Sequence, residues 1–170
     1  MSRVLLISGS PSASSRTGKL LDHVAGLVDG AVSLLRLRDL PAEPLLLGRP
    51  DHPDLAAAAR SVAAADVIVV ATPIYKAAYT GLVKAFLDGL PQQAFAGKTV
   101  VPIATGGTRA HLLAVDYALR PVLSVLGARH VTRGLFVLDT EIAPLADELR
   151  PRLQALADEV NAVPLRAAAA

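Results

Sequence analysis

The apolar run Val67–Ala71, Val-Ile-Val-Val-Ala, is the feature that most restricts the fold of this chain. It is apolar and largely β-branched at successive positions, without the alternation of a strand that has one face in water. Such a strand is covered on both sides, as in a parallel sheet that carries helices on both faces. The chain has 170 residues, 52% of them hydrophobic, which is enough to bury a two-sided sheet within one domain.

Segments of strand and helix pattern alternate along the rest of the chain. Further strands are predicted at Val4–Ile7, Ala31–Arg38, Thr99–Ala104 and Gly134–Leu138. Helical patterns cover 20–28, 55–65, 82–90, 110–126 and 146–160. Pro151 lies inside the last of them, so two short helices are an alternative there.

This alternation predicts an α/β fold. We expect a flavodoxin-like, doubly wound, five-stranded parallel sheet with the strand order 2-1-3-4-5 and helices on both faces. A single flavodoxin-like domain is predicted over residues 1–165, and residues 166–170 are predicted to form a frayed tail.

A turn rich in hydroxyl groups, Gly9–Lys19, follows the first predicted strand and precedes the first predicted helix. Its hydroxyl groups belong to Ser10, Ser12, Ser14, Ser15 and Thr17, and its cations are Arg16 and Lys19. Backbone N–H groups at a helix N-terminus have no intrahelical partners and carry the positive end of the helix dipole. The turn therefore favours a phosphate group as its ligand.

Two common nucleotide-binding motifs do not fit this turn. A near-match to the P-loop around Gly18 and Lys19 places Leu20 where a magnesium-binding Ser or Thr is needed. The dinucleotide motif G-x-G-x-x-G is absent, because no glycine occurs between Gly9 and Gly18. A phosphate turn of flavodoxin type remains, and the alternative is an ordinary serine-rich turn that caps a helix.

Two more turns of unusual composition, Thr72–Gly81 and Thr105–Thr108, also follow predicted strands. Ligands of open parallel sheets bind at the carboxyl ends of the strands, where these turns meet. The segment Pro73–Tyr75 offers an apolar wall to a flat ring, and the Gly106-Gly107 pair lets a ring edge approach the backbone because no Cβ intervenes. A flavin fits both features, although the tyrosines of the second turn could equally be packing residues.

The segments Ala71–Lys84 and Ala104–Leu123 resemble the NADPH-dependent FMN reductases of bacterial sulfur assimilation, which supply flavin to two-component alkanesulfonate monooxygenases. The resemblance runs from Val4 to about Leu138 and implies an FMN-binding domain. It assigns the flavin phosphate to Ser10, Ser15, Arg16 and Thr17. It places the isoalloxazine ring beside Pro73, Ile74, Tyr75 and Lys76, and its pyrimidine side beside Thr105, Gly106, Gly107 and Thr108. This chain departs from the family at Ser12, where many relatives carry Arg, and at Gly18 and Lys19.

Tyr117 stands four residues before Pro121, whose missing N–H leaves the carbonyl of Tyr117 without its helical partner. The helix must distort there, by a π-bulge or by a plain proline kink. The family resemblance implies a π-bulge, with Tyr117 at a tetramer interface near the flavin and acting in flavin exchange.

Composition excludes several other classes of function. A net charge of +2 and an aromatic content of 4% do not suggest a nucleic-acid surface. No Cys is present, and the four histidines lack the spacing of metal ligands, so no metal site is predicted. No apolar run approaches the ~18 residues of a membrane span and no signal sequence is recognisable, so we expect a cytoplasmic protein.

The resemblance implies hydride transfer from NADPH to FMN, with release of reduced flavin to a partner monooxygenase in sulfonate sulfur assimilation. The absence of an acid–base or nucleophile pattern agrees with chemistry carried by a cofactor. The alternatives are a quinone or azo reductase that holds FMN tightly and, with less support, an electron-carrier flavodoxin. Flavodoxins are usually strongly acidic, whereas this chain is slightly basic.

Overall fold

The computed structural model describes residues 2–163 and contains a seven-stranded sheet. Its strands are β1 (Arg3–Ser8), β2 (Ala31–Arg36), β3 (Val67–Tyr75), β4 (Ala78–Tyr79), β5 (Thr99–Gly106), β6 (His130–Val131) and β7 (Leu135–Leu138). The order is β2-β1-β3-β5-β6, with β7 also paired to β5 and the short β4 paired to β3. Every pairing is parallel except that of β3 with β4.

Helices connect these strands. They are α1 (Arg16–Ala25), α2 (Ala42–Leu46), α3 (Pro53–Ala64), α4 (Gly81–Asp88), α5 (Arg120–Val125) and α6 (Leu149–Asn161). A π-helical turn over Val115–Leu119 leads directly into α5. No helix of the described residues is long and apolar enough to cross a membrane.

The buried core confirms the doubly wound architecture that the run Val67–Ala71 predicts. Val67 and Val69 pack on one face of the sheet against α1 and α6, while Ile68 and Val70 pack on the other face against α3, α4 and α5. All four side chains are fully buried. Successive residues of a strand point to opposite faces, so a run without alternation requires helices on both sides.

The observed sheet differs in detail from the five strands predicted. Counted over the five predicted segments the order is 2-1-3-4-5, but β3 extends four residues further, to Tyr75, and turns back as β4. The predicted last strand corresponds to β7, and β6 lies before it along the same side of β5. The segment between β2 and α3, for which the sequence patterns above predict no helix or strand, contains the short helix α2.

Pro102 explains why the outer strand is broken in two. The N–H of Thr132 donates to the carbonyl of Val100, so the backbone groups of Val100 face the outer strand. Alternate residues of a parallel strand bond to the same neighbour, so the backbone groups of Pro102 face the outer strand too. Pro102 has no N–H to donate, and one extra residue separates the pairs on the outer strand. Gly134 lies in this bulge with a φ of +76°, where a Cβ would come within 2.5 Å of the carbonyl oxygen of Pro102.

Helix α6 is one continuous helix rather than two. Pro151 is its third residue, within the first turn, where backbone N–H groups have no intrahelical acceptor in any case. The proline therefore costs no helical hydrogen bond. The predicted domain end at residue 165 and the predicted frayed tail, 166–170, lie outside the described residues.

Candidate functional site

Three turns meet at the carboxyl end of the sheet and are joined by hydrogen bonds between them. The N–H of Gly9 donates to the carbonyl of Ala71 at 2.7 Å, and the Thr80 hydroxyl donates to the carbonyl of Gly9 at 2.8 Å. The hydroxyls of Thr17 and Thr105 lie 2.8 Å apart. These contacts connect the Gly9–Lys19 turn with both of the other turns, as the parallel topology predicts.

The first turn is built around the N-terminus of α1. Ser15 caps the helix, its Oγ accepting a hydrogen bond from the N–H of Gly18 at 3.0 Å. Ser10 is buried, and its Oγ accepts from the N–H of Ser12 at 3.3 Å. Ser10 and Ser15, both predicted phosphate ligands, therefore also stabilise the conformation of the turn through these hydrogen bonds.

Arg16 and Thr17, the other two predicted phosphate ligands, have partners of their own. The Arg16 guanidinium lies 3.5 Å from the carboxylate of Asp139, just after β7, and its side chain is 60% exposed. Thr17 is buried and shares a hydrogen bond with Thr105, another predicted ligand. A hydroxyl that accepts one bond still has a proton to donate, so this pair keeps donor capacity toward a ligand.

A cleft of about 140 Å³ opens beside the first turn, and sequence reasoning missed three residues that line it. They are Ser8, at the end of β1, Arg36, at the end of β2, and Arg38, in the 3₁₀ turn Leu37–Asp39 that follows β2. The signal was present, because the second strand of this fold pairs with the first and ends beside the phosphate turn. Lys19 also lines this cleft, whereas Arg16 does not.

The second turn is a two-residue hairpin rather than an irregular loop. Lys76 and Ala77 connect β3 to β4 with φ values of +52° and +66°. Hairpins of this length usually place Gly or Asn at positions with positive φ, so the backbone of Lys76 and Ala77 is strained. The hairpin leaves Tyr75 52% exposed while Ile74 is buried, and Pro73 is half-buried.

The third turn contains both of the predicted glycines. Gly107 faces open space, because a Cβ there would have no atom within 4 Å. Gly106 is packed, and a Cβ there would lie 3.1 Å from the ring of Phe136. Thr108 is exposed, and its hydroxyl accepts from the N–H of Ala110 at 3.3 Å. The glycine that could admit a ring edge is therefore Gly107.

The helix after this turn is irregular around Tyr117. The N–H of Arg120 donates to the carbonyl of Val115, five residues back, which is the hydrogen bond of a π-helix. This confirms the predicted π-bulge and excludes a plain proline kink at Pro121. Tyr117 is 79% exposed on that turn, which packs beside β4.

None of the three turns contains an Asp, Glu or His that could serve as an acid or base. On α4, the hydrogen bond to Asp88 raises the pKa of Lys84 above its ordinary value. Within residues 2–163, no group of three or more His, Asp or Glu side chains is placed to hold a metal ion. The donor set consists of hydroxyls, backbone groups and cations, which fits a phosphorylated aromatic ligand such as FMN.

Comparison with known proteins places this geometry in a family. Residues 2–143 match the family described as NADPH-dependent FMN reductase. Over 163 residues the chain is 45% identical to "FMN reductase (NADPH)" of Pseudomonas putida KT2440, covering 93% of this chain and 82% of the relative. Over 143 residues it is 46% identical to "FMN reductase (NADPH)" of Escherichia coli K12, covering 82% of this chain and 75% of the relative.

A solved structure described as apo NADH:FMN oxidoreductase (EMOB) superposes with a TM-score of 0.88 at 43% identity. It covers 95% of this chain and 89% of the solved one. The family match extends over most of the chain and includes all three turns. The chain therefore belongs to the NADPH-dependent FMN reductase family, whose members use FMN and NADPH.

Proposed function

We propose that this protein transfers a hydride from NADPH to FMN and releases the reduced flavin to a partner monooxygenase. The observation that carries the proposal is the meeting of three ligand-type turns at one end of the sheet, next to an exposed π-helical turn. Bound FMN would supply the hydride acceptor. The residues of this chain bind and orient it and need not transfer a proton.

Each turn has one task in this proposal. Ser10, Ser15, Arg16 and Thr17 hold the flavin phosphate, and Arg16 must leave Asp139 or bridge to it in order to do so. Pro73, Ile74, Tyr75 and Lys76 lie beside the isoalloxazine, and Thr105, Gly106, Gly107 and Thr108 bind at its pyrimidine side. Replacing Arg16 by Ala should weaken FMN binding by about 1.5–3 kcal/mol and affect riboflavin much less. Unchanged FMN affinity would remove Arg16 from the site.

We further propose that the protein is a homotetramer in the cytoplasm. Exposed apolar side chains cluster around the irregular helix, at Leu112, Leu113, Tyr117 and Val125. Their exposed fractions lie between 47% and 79%, which is unusual for apolar residues so close together in sequence. Light scattering at micromolar concentration tests the assembly, and a monomer there would contradict it.

Exchange of the flavin is assigned to Tyr117. A π-turn beside the ring keeps the surface irregular, so a departing product is not sealed in. Deletion of Tyr117 should let the helix wind more regularly, although Pro121 opposes a perfect α-helix. The deletion variant should purify yellow with bound FMN and lose transfer to a monooxygenase, while it still accepts electrons from NADPH. A colourless variant with full FMN turnover would reduce Tyr117 to a packing residue.

The decisive experiment for the function is NADPH oxidation by the purified protein, with and without added free FMN. A reductase that uses flavin as a substrate oxidises NADPH only when FMN is added, and saturates with it. A protein that purifies with FMN and turns over a quinone or azo compound without added flavin would instead be the alternative oxidoreductase. Inability to reduce FMN under either condition would refute both.

A further inference from the structure

We propose that the phosphate of FMN is neutralised from the end of the second strand and the 3₁₀ turn that follows it, by Arg36 and Arg38 together with Lys19. The proposal rests on the FMN reductase function given above and concerns the cleft beside the Gly9–Lys19 turn. Strand β2 pairs in parallel with β1, with Arg36 in register with Ser8, so β2 ends next to the turn. Both arginines therefore reach the rim of a cleft of about 140 Å³.

The charge of this cleft matches a phosphate dianion. Lys19, Arg36 and Arg38 line it together with a single carboxylate, Asp22, which leaves two positive charges in excess. Among residues 2–163, neither Lys19 nor Arg36 forms an ion pair. Arg38 lies 3.2 Å from the exposed carboxylate of Asp39. A phosphomonoester carries close to two negative charges at neutral pH, so it balances the cleft.

Ser8, which lines the cleft, gives a second indication of a ligand that is independent of the charges. The residue is 5% exposed, and its hydroxyl forms no hydrogen bond within the described part of the chain. That hydroxyl therefore keeps its proton available for a ligand. A phosphate oxygen can accept a hydrogen bond from it as well as from the cations that line the cleft.

The position of Arg16 explains why cations from outside the turn are needed. Arg16 does not line the cleft and lies beside Asp139, so it reaches the phosphate only by leaving that carboxylate or bridging to it. Of the two cations of the turn, Lys19 lines the cleft. Arg36 and Arg38 line it as well and are exposed, so they supply further positive charge to a ligand.

Flavin titrations test this assignment directly, with quenching of flavin fluorescence as the signal for binding. Wild type and the variants Arg36→Ala and Arg38→Ala are titrated with FMN and, separately, with riboflavin, which has no phosphate. Each variant should lose about tenfold in FMN affinity and keep its riboflavin affinity, because charge-assisted hydrogen bonds to the phosphate are lost. Arg36→Lys should keep most of the FMN affinity. Arg60→Ala, an exposed change on α3, is the matched control and should behave as wild type.

Three results would overturn the proposal. The first is unchanged FMN affinity in both alanine variants, and the second is an equal loss for FMN and riboflavin. The third is a raised KM for NADPH but not for NADH with FMN affinity intact, which would assign the cleft to the phosphate of the nucleotide. Circular dichroism of each variant confirms that it is folded. If wild type itself failed to reduce FMN, the proposed function would fall and this assignment with it, a result distinct from the other three.

Discussion

Arg120 should contribute more to stability than any exposed arginine of this protein, and its replacement by Ala tests that reasoning. Its Nη1 donates to the carbonyls of Val131 and Thr132 at 3.1 and 2.8 Å, and its Nη2 donates to that of Arg133 at 2.9 Å. Its Nε donates to the carboxylate of Asp116 at 3.0 Å. In a regular parallel ladder, the N–H of residue 102 would donate to the carbonyl of Thr132. Residue 102 is a proline and has no N–H, so the Arg120 guanidinium donates to that carbonyl instead.

The magnitude follows from which of these bonds are shielded from water. The bonds to Arg133 and Asp116 are exposed and count for little. The two bonds to Val131 and Thr132 are partly buried and involve a charged donor. Bonds of that type contribute about 1.5–3 kcal/mol each when fully shielded. Since the Arg120 side chain is 28% exposed, we expect Arg120→Ala to lower the free energy of unfolding by about 2–4 kcal/mol.

Urea unfolding followed by circular dichroism, at one fixed protein concentration, measures this change. Arg150→Ala is the matched control, because that side chain is 61% exposed and its partner Asp147 is 95% exposed. It should shift stability by less than about 0.5 kcal/mol. Arg120→Lys should fall between the two, because one ammonium cannot span three carbonyls. Equal unfolding midpoints for Arg120→Ala and Arg150→Ala would show that water satisfies these carbonyls, and the reasoning would be wrong.

Three further changes test other parts of the structure. Gly9→Ala should lower the free energy of unfolding by about 1–3 kcal/mol, because its Cβ would lie 2.1 Å from a methyl group of Val83 on α4. Gly107→Ala should keep the unfolding midpoint of wild type and lose FMN affinity, because a Cβ there meets no protein atom within 4 Å. The opposite pattern in the two variants would contradict both assignments. Ala77→Gly relieves a φ of +66° and should raise the melting temperature by about 2 °C. An unchanged or lower melting temperature would show that the hairpin is not strained. The hydrogen bond to Asp88 raises the pKa of Lys84, so the charged lysine stabilises the fold below about pH 10.5 and this contribution is lost at higher pH. Lys84→Met should therefore lose less stability than wild type as the pH rises. An identical dependence of stability on alkaline pH in the two proteins would refute this.

The fold was predictable because burial leaves a local pattern in the sequence. The uninterrupted run Val67–Ala71 requires helices on both faces of the sheet, and that requirement alone excludes most architectures. The distortion at Tyr117 was equally local, since it follows from a proline four residues later. In both cases the deciding residues are neighbours along the chain.

The hairpin after β3 was not predictable in the same way. Lys76 and Ala77 occupy positions that usually hold Gly or Asn, so the sequence carries no turn signal there. Pro73 also favours the interpretation of a loop, although it lies in a strand and in register with Thr105. Tertiary packing overrides local preference at this site, where strain is typical of functional segments.

Partners that are distant in sequence were beyond prediction for a different reason. Arg16 and Asp139 are an ion pair, and Thr17 and Thr105 share a hydrogen bond, yet nothing in the composition of either turn specifies the partner. Such pairs depend on the exact placement of whole elements. The sequence indicated that the residues bind something, and the structure identifies what they contact within residues 2–163.

Arg120 connects the edge of the sheet with the π-helical turn that carries Tyr117. Pro121 only removes a hydrogen bond to the carbonyl of Tyr117, which permits a kink as readily as a π-turn. Arg120 precedes that proline. Its side chain donates to carbonyls of the outer strand and the bulge, while its N–H donates to the carbonyl of Val115. The wide turn is thus fixed at its C-terminal end by the bulge that Pro102 creates. If Tyr117 acts in flavin exchange as proposed, loss of the Arg120 side chain should change how strongly FMN is retained as well as the stability, although Arg120 is not among the residues proposed to bind FMN.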